Sequence, residues 1–221
     1  MTVSLHMNDG VAIIEIDDGK KNVINHAVLD ELEAAWDEAE AQAATVIFKG
    51  RTGSFCAGYD IRVMTGPDQE AASRLGKRGG AIARRIYGFE RPVVGLSEGH
   101  AFTIGAVWLA GCDVRIAERG AYKYAMTEVA LDVPLTGWAL PAISARIKPQ
   151  YHEEVLLHSS VCDPEAAAEV GFVDQVVDPG HGLDAALAAA AKLKQLPAKA
   201  YRQTKLTLRA DVLTQMDQHL G

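Results

Sequence analysis

PVVGLSEGHAFTIGAVWLAGCD, residues Pro92 to Asp113, is the stretch around which the rest of the chain is organised. Pro92, Val93, Val94, Gly95 and Leu96 form a short β-branched run that predicts a buried strand. Ser97, Glu98 and Gly99 break that pattern, and Thr103 to Gly111 then continue with small and apolar residues and no charge. Such a segment is a helix buried on all sides. A loop lined with Gly and Ala that feeds a helix N-terminus lets a ligand approach free backbone N–H groups, which stabilise a developing negative charge. Taken alone, the stretch is equally a tightly packed core helix. The same logic recurs in Phe55-Cys-Ala-Gly-Tyr-Asp-Ile61, and the two loops together point to a site.

The chain has 221 residues, enough for one substantial domain with a large core. A net charge of −7 argues against a general binder of nucleic acid or anionic membrane. Cys56, Cys112 and Cys162 are few, odd in number and without metal-like spacing, which predicts reduced thiols and a cytoplasmic setting. No basic segment followed by an apolar one opens the chain, and no uncharged apolar run reaches transmembrane length, so a soluble protein is expected.

Outward from the central stretch, the pattern alternates strand and helix. Val3–His6 and Val11–Ile16 flank Asp9-Gly10, a hairpin-turn signal. Asn25 or His26 starts a helix with Val28, Leu29, Leu32, Ala35, Trp36 and Ala39 on one face and acidic residues on the other. Thr45–Lys49 is a strand; residues 62–76 are irregular, a loop or short helix; and Arg74–Phe89 is a helix with Lys77, Arg78, Arg84 and Arg85 on a basic face. That face meets solvent or acidic neighbours, or else an anionic ligand. Asp113–Ala117 and Tyr122–Tyr124 are strands, followed by Leu131 to Pro134 and Thr136-Gly137, and Pro141–Ile147 and Tyr151–His158 are helical. Asp163 and Pro164 open a helix that Gly171 ends, Phe172–Val177 is a last strand, and helices broken at Pro197 finish the chain. Alternation at this spacing predicts an α/β layer fold.

The chemistry-bearing residues are few. No G-x-S-x-G elbow, Walker-type loop or metal-like histidine pair occurs in the sequence. Glu128 stands out among Tyr122, Tyr124, Met126, Val129 and Leu131, where desolvation would raise its pKa and suit it to proton exchange near neutrality. A capping or salt-bridged surface role is the competing reading. Lys20 and Lys21 in the Asp17–Asn22 loop are solvated surface or a meeting point for a phosphate.

Together these residues resemble the crotonase (enoyl-CoA hydratase/isomerase) superfamily over about residues 3–178. The resemblance rests on Phe55–Ile61, Gly99-His-Ala101 leading to Gly105, Cys112-Asp113, Thr127-Glu128-Val129, and Asp163-Pro-Glu-Ala-Ala with Gly171-Phe-Val-Asp. It implies a spiral of ββα units over residues 1–178 with a helical C-terminal region, residues 179–221, in the same domain and used for trimerisation. It implies coenzyme A thioester substrates, no separate cofactor, no metal, and assembly as a trimer or hexamer. By the same resemblance Glu128 is catalytic, the N–H groups of Tyr59 and Ile104 form an oxyanion hole, and Gly58 and Gly105 bind the substrate beside them. The coenzyme would lie along Lys20, Lys21, Asn22 and Val23 and along Ala57, Asp60, Ile61 and Arg62.

Hydratases of this family carry two catalytic glutamates, and the first falls at Val107 here. Adding water needs one group to deprotonate it and is helped by another that donates a proton, whereas shifting a double bond from C3 to C2 needs one base. Glu128 alone therefore matches the isomerase pattern. A hydratase, with Asp132 as the nearest second group, and a non-catalytic acyl-CoA-binding protein are the alternatives. Ile104 puts a bulky side chain at a donor position that is usually glycine, and Asp132-Val133-Pro134 departs from the family's spacing, leaving the pocket's shape open.

Overall fold

The computed structural model describes residues 1–135 and 137–221; Thr136, expected beside Gly137 in the segment after Pro134, lies outside the described residues. Strands β1 (Val3–Asn8) and β2 (Val11–Ile16) form the expected antiparallel hairpin. Its turn takes positive φ at both central residues, 46° at Asp9 and 75° at Gly10, as a type I′ turn requires. After the two-residue β3 (Val23–Ile24), Asn25 caps α1 (His26–Gln42) by accepting the Val28 N–H at 3.1 Å. The six apolar residues expected on one face of α1 are its buried ones.

A two-strand step then repeats three times. In the first, β4 (Thr45–Gly50) runs into β5 (Gly53–Cys56), and β6 (Gly58–Tyr59), α2 (Ile61–Met64) and α3 (Gln69–Gly88) follow. In the second, β7 (Val93–Ser97) runs into β8 (Gly99–Phe102) and then α4 (Ile104–Gly111). In the third, β9 (Val114–Glu118) leads to β10 (Tyr124–Ala125). First members join a long sheet and second members a short one, ordered β10-β8-β5 and parallel throughout. With β11 (Gln175–Val177) the long sheet reads β1-β2-β4-β7-β9-β11, parallel except for the opening hairpin. The two sheets climbing in step are the spiral. Each β-branched run feeds the long sheet, where strands covered on both faces read as continuous apolar segments.

All eight residues of α4 are buried. Trp108 lies 6.1 Å from Phe48, which meets Trp36 and Phe55 edge-on at 5.5 and 5.4 Å between ring centres. Helices α5 (Ala139–Ser144), α6 (Pro164–Val170), α7 (Gly182–Lys194), α8 (Ala198–Leu208) and α9 (Ala210–Leu220) complete the chain.

Several expectations need correction. Residues 62–76 are mostly helical: Asp60 caps α2, and Asp68 starts α3 five residues early by accepting the Ala71 N–H at 2.9 Å. Tyr151–His158 is a short 3₁₀ turn followed by a wide, π-type turn over Glu153–Leu157, not a regular helix. The last strand begins only at Gln175, because the Phe172 and Val173 N–H groups turn back to the Ala167 carbonyl. A second break, at Arg209, separates α8 from α9. The basic face of α3 needs no correction and meets acidic neighbours, one of the expected alternatives: Arg78 pairs with Asp30 and Glu33, Arg85 with Asp37 and Glu40, and Arg84 with Asp217.

Candidate functional site

Two loops meet at the N-terminus of α4. Thr103 turns the chain with φ 48° and ψ −118° and offers no side-chain cap, so the opening N–H groups of α4, Ile104 first, lack an intrahelical partner. Opposite, the Asp60 N–H bonds to the Ile24 carbonyl at 2.8 Å, which turns the preceding Tyr59 N–H toward the other edge of the β3–β6 pair. Gly58, at φ 103°, lets the loops approach: a Cβ there would sit 2.6 Å from the Thr103 hydroxyl. Behind them Cys56 accepts the Gly58 N–H at 3.4 Å, and burial pushes its thiol up to about 12. Gly105 packs against the Cys56 side chain.

Tyr59, Ile104 and Glu128 line one cavity of about 190 Å³, together with Val107, Val133, Pro134, Leu135, Trp138 and Ala139. Glu128 is the one carboxylate among the described residues of this wall. Its Oε2 is buried with no hydrogen-bond partner. Burial raises the Glu128 pKa, its own backbone N–H opposing only in part. A short turn holds it in place: the Glu128 carbonyl accepts N–H groups from Leu131 at 3.0 Å and Val133 at 2.9 Å, with Asp132 left-handed at φ 60°. Asp132 itself points away, exposed and outside the cavity wall.

The spatial surroundings of Glu128 differ from its sequence surroundings. Val129 and Leu131 are exposed. The apolar wall instead comes from Val107 on α4 and from Val133, Pro134, Leu135, Trp138 and Ala139. The Tyr59 ring closes another side against α3, where Gly79 leaves room for it; a Cβ on Gly79 would fall 2.1 Å from the phenol oxygen. Burial, with Cys56 and Glu128 adding to it, pushes that phenol's pKa far up, so it stays protonated.

Tyr59 also lines a second, outer cleft of about 920 Å³. There Lys20, Lys21 and Val23 face Ala57, Asp60, Ile61 and Arg62. Arg62 bonds the Asp60 carboxylate at 2.6 Å and holds it below the usual carboxylate range. Three residues expected at the ligand, Asn22, Gly58 and Gly105, line neither cavity. Asn22 is fully buried and donates to the Ile16 and Ser54 carbonyls at 2.7 and 2.9 Å. It therefore holds the loop while its neighbours face the cleft. Gly58 and Gly105 are likewise packing positions between the loops. Among the described residues no group of three or more His, Cys, Asp or Glu is placed to hold a metal ion, and no helix is long and apolar enough to cross a membrane.

Sequence reasoning missed the wall residues Val133, Leu135, Trp138 and Ala139. One signal was available: Gly79-Gly80 in the middle of a helical pattern, where glycine costs about 1 kcal/mol each relative to alanine and implies close packing.

The fold has close counterparts. The profile of the enoyl-CoA hydratase/isomerase family matches residues 6–220. The chain belongs to that family. An enoyl-CoA hydratase from Mycobacterium ulcerans superposes with a TM-score of 0.96 at 27% identity, over 100% of this chain and 96% of that one. An enoyl-CoA hydratase/isomerase family protein from Pseudomonas syringae gives 0.94 at 34% identity, over 99% and 95%. Among curated relatives, the crotonyl-CoA hydratase of Syntrophomonas wolfei is 25% identical over 99% of this chain and 85% of its own. The human mitochondrial enoyl-CoA delta isomerase 1 is 26% identical over 90% and 68%. Matches to probable enoyl-CoA hydratases of Bacillus subtilis and Arabidopsis thaliana take in 52% and 65% of those proteins.

Proposed function

We propose that this chain is an acyl-CoA enzyme that isomerises 3-enoyl thioesters to 2-enoyl thioesters. The carrying observation is the single carboxylate of the inner cavity, Glu128, desolvated and sharing the wall with Val107, the position at which a second carboxylate would serve hydration. In this reading the thioester oxygen sits between the N–H groups of Tyr59 and Ile104. Glu128 removes a proton from C2; the C–H electron pair moves into the C1–C2 bond and the charge collects on oxygen. The acid form of Glu128 then delivers the proton to C4, the remaining double bond shifts to C2–C3, and the oxygen pair restores the carbonyl. A donor of this kind is worth about 3–4 kcal/mol in the transition state, and a positioned base about 10²–10⁴ in rate. The outer cleft, with Lys20, Lys21 and Arg62 at its rim, suits the anionic coenzyme, which is part of the substrate. Assembly as a trimer or hexamer belongs to the same proposal.

Mass spectrometry of the products tests the reaction type. Incubation with 3-hexenoyl-CoA should give a product of unchanged mass that elutes as the 2-enoyl isomer. A product heavier by one water from 2-hexenoyl-CoA, with no isomer from the 3-enoyl substrate, would make the chain a hydratase. Binding of thioesters without any product would make it a carrier.

A further inference from the structure

We infer that Trp138 is the residue that limits acyl chain length, and that the site takes short acyl chains. The inference rests on the acyl-CoA reading of the inner cavity and deepens it. The cavity's 190 Å³ equals the liquid share of roughly six water molecules at about 30 Å³ each. A methylene group needs similar room, so a thioester carbon and about five further chain carbons fill the space.

Trp138 lines the inner cavity and not the outer cleft, and its position is fixed from behind. A Cβ on Gly80 would lie 2.6 Å from Trp138 Cε2, 2.7 Å from Nε1 and 2.6 Å from Leu220 Cδ2. The indole therefore lies flush on the α3 backbone, with the last turn of α9 beside it. Gly79 and Gly80 are adjacent, and each makes room for one aromatic wall of the cavity: Gly79 for Tyr59, which also lines the outer cleft, and Gly80 for Trp138, which lines the inner cavity alone. A rigid ring with backbone behind it cannot retreat from a longer chain. It can only be removed, or pushed further in.

These two options give variants with opposite effects. Calorimetric titration with saturated butyryl-, hexanoyl-, octanoyl- and decanoyl-CoA reads chain length without needing turnover. In the unmodified protein affinity should rise about fourfold per added methylene as far as hexanoyl and then stop or fall. Trp138→Ala should extend the rise to octanoyl or beyond. Gly80→Ala, by driving the indole into the cavity, should end the rise at butyryl. If Gly80→Ala does not fold, Trp138→Phe should give a limit between those of the unmodified protein and Trp138→Ala. An unbroken rise to decanoyl in the unmodified protein, or an unchanged limit in Trp138→Ala, would overturn the assignment. Loss of isomerisation with the limit intact would overturn the reaction type and leave this inference standing; no binding at any length would overturn both.

Discussion

Glu128 is the single carboxylate among the described residues of the inner cavity's wall. An unpartnered carboxylate oxygen in an apolar cavity is costly when charged, which is why burial raises its pKa. The sign of the linked stability follows. A carboxyl raised in the folded state contributes stability that is complete below its unfolded pKa and is lost as pH rises through the folded value. Glu128→Gln should therefore unfold at a higher temperature than the unmodified protein at neutral pH, with the gap closing on acidification below the ordinary carboxylate range. Equal melting temperatures at both ends would contradict the desolvation. The acid limb of the activity profile should likewise lie above the ordinary carboxylate range. The backbone donors need a different probe, since only proline deletes an N–H, and it fixes φ as well. Gly58→Ala places a methyl group 2.6 Å from the Thr103 hydroxyl at φ 103°, splaying the two donor loops. It should lower kcat by about 10²–10³, and retention of full kcat would remove those loops from the mechanism.

At the scale of elements, the decisive features are where α4 begins and what holds its two ends. Its N-terminus has no side-chain cap, while its C-terminal carbonyls are met by cations: Arg146 bonds the Ala110 and Cys112 carbonyls and Arg209 the Gly111 carbonyl. Asp113 balances that charge through Lys205 at 2.7 Å and Arg209 at 2.9 Å, all three side chains being under a tenth exposed. Asp113→Ala should cost about 3–5 kcal/mol in denaturant unfolding, because it leaves buried cations unpaired; a loss below 1 kcal/mol would show that the network relaxes. Much of this level was legible in the sequence. The hairpin, α1, the central strand and helix, and the Asp163–Pro164 start each rest on local rules of turn, cap and period, and each stands where those rules place it. The early start of α3 was not legible from its apolar period, since Asp68 and Glu70 open it on polar residues. The pairing of the acidic face of α1 with the basic face of α3 is a tertiary contact: the α1 face read as solvated, and for the α3 face acidic neighbours were one alternative among solvent and an anionic ligand.

For the whole molecule, the spiral explains why the site is assembled from distant segments. The short sheet brings Cys56 on β5 next to β8, so that the loop after β5 and the loop after β8 lie side by side. The turn after β10 then delivers Glu128 to the same place. Residues 128 and 59 were legible as motif positions; Trp138 and Leu220 were not, because only the packing of α9 on α3 and α5 relates them to the cavity. The C-terminal helices are joined to the core on two sides. Ala186 and Ala190 of α7 pack on the long sheet with Ile47, Val94, Leu96 and Ile116, while Leu213 and Met216 of α9 enter the main core. Unfolding should accordingly be one cooperative transition by circular dichroism and tryptophan fluorescence alike. Two separated transitions would make residues 179–221 an independent unit.

The central claim is that one buried carboxylate and two backbone donors move a double bond into conjugation. Its most direct test is the ultraviolet absorbance of the conjugated thioester after mixing with 3-hexenoyl-CoA, in the unmodified protein and in Glu128→Gln. The account predicts a rise that slows by about 10²–10⁴ in the variant, with the variant still folded. A rise of unchanged rate in Glu128→Gln, or no rise at all while 2-hexenoyl-CoA loses its absorbance to added water, would contradict it.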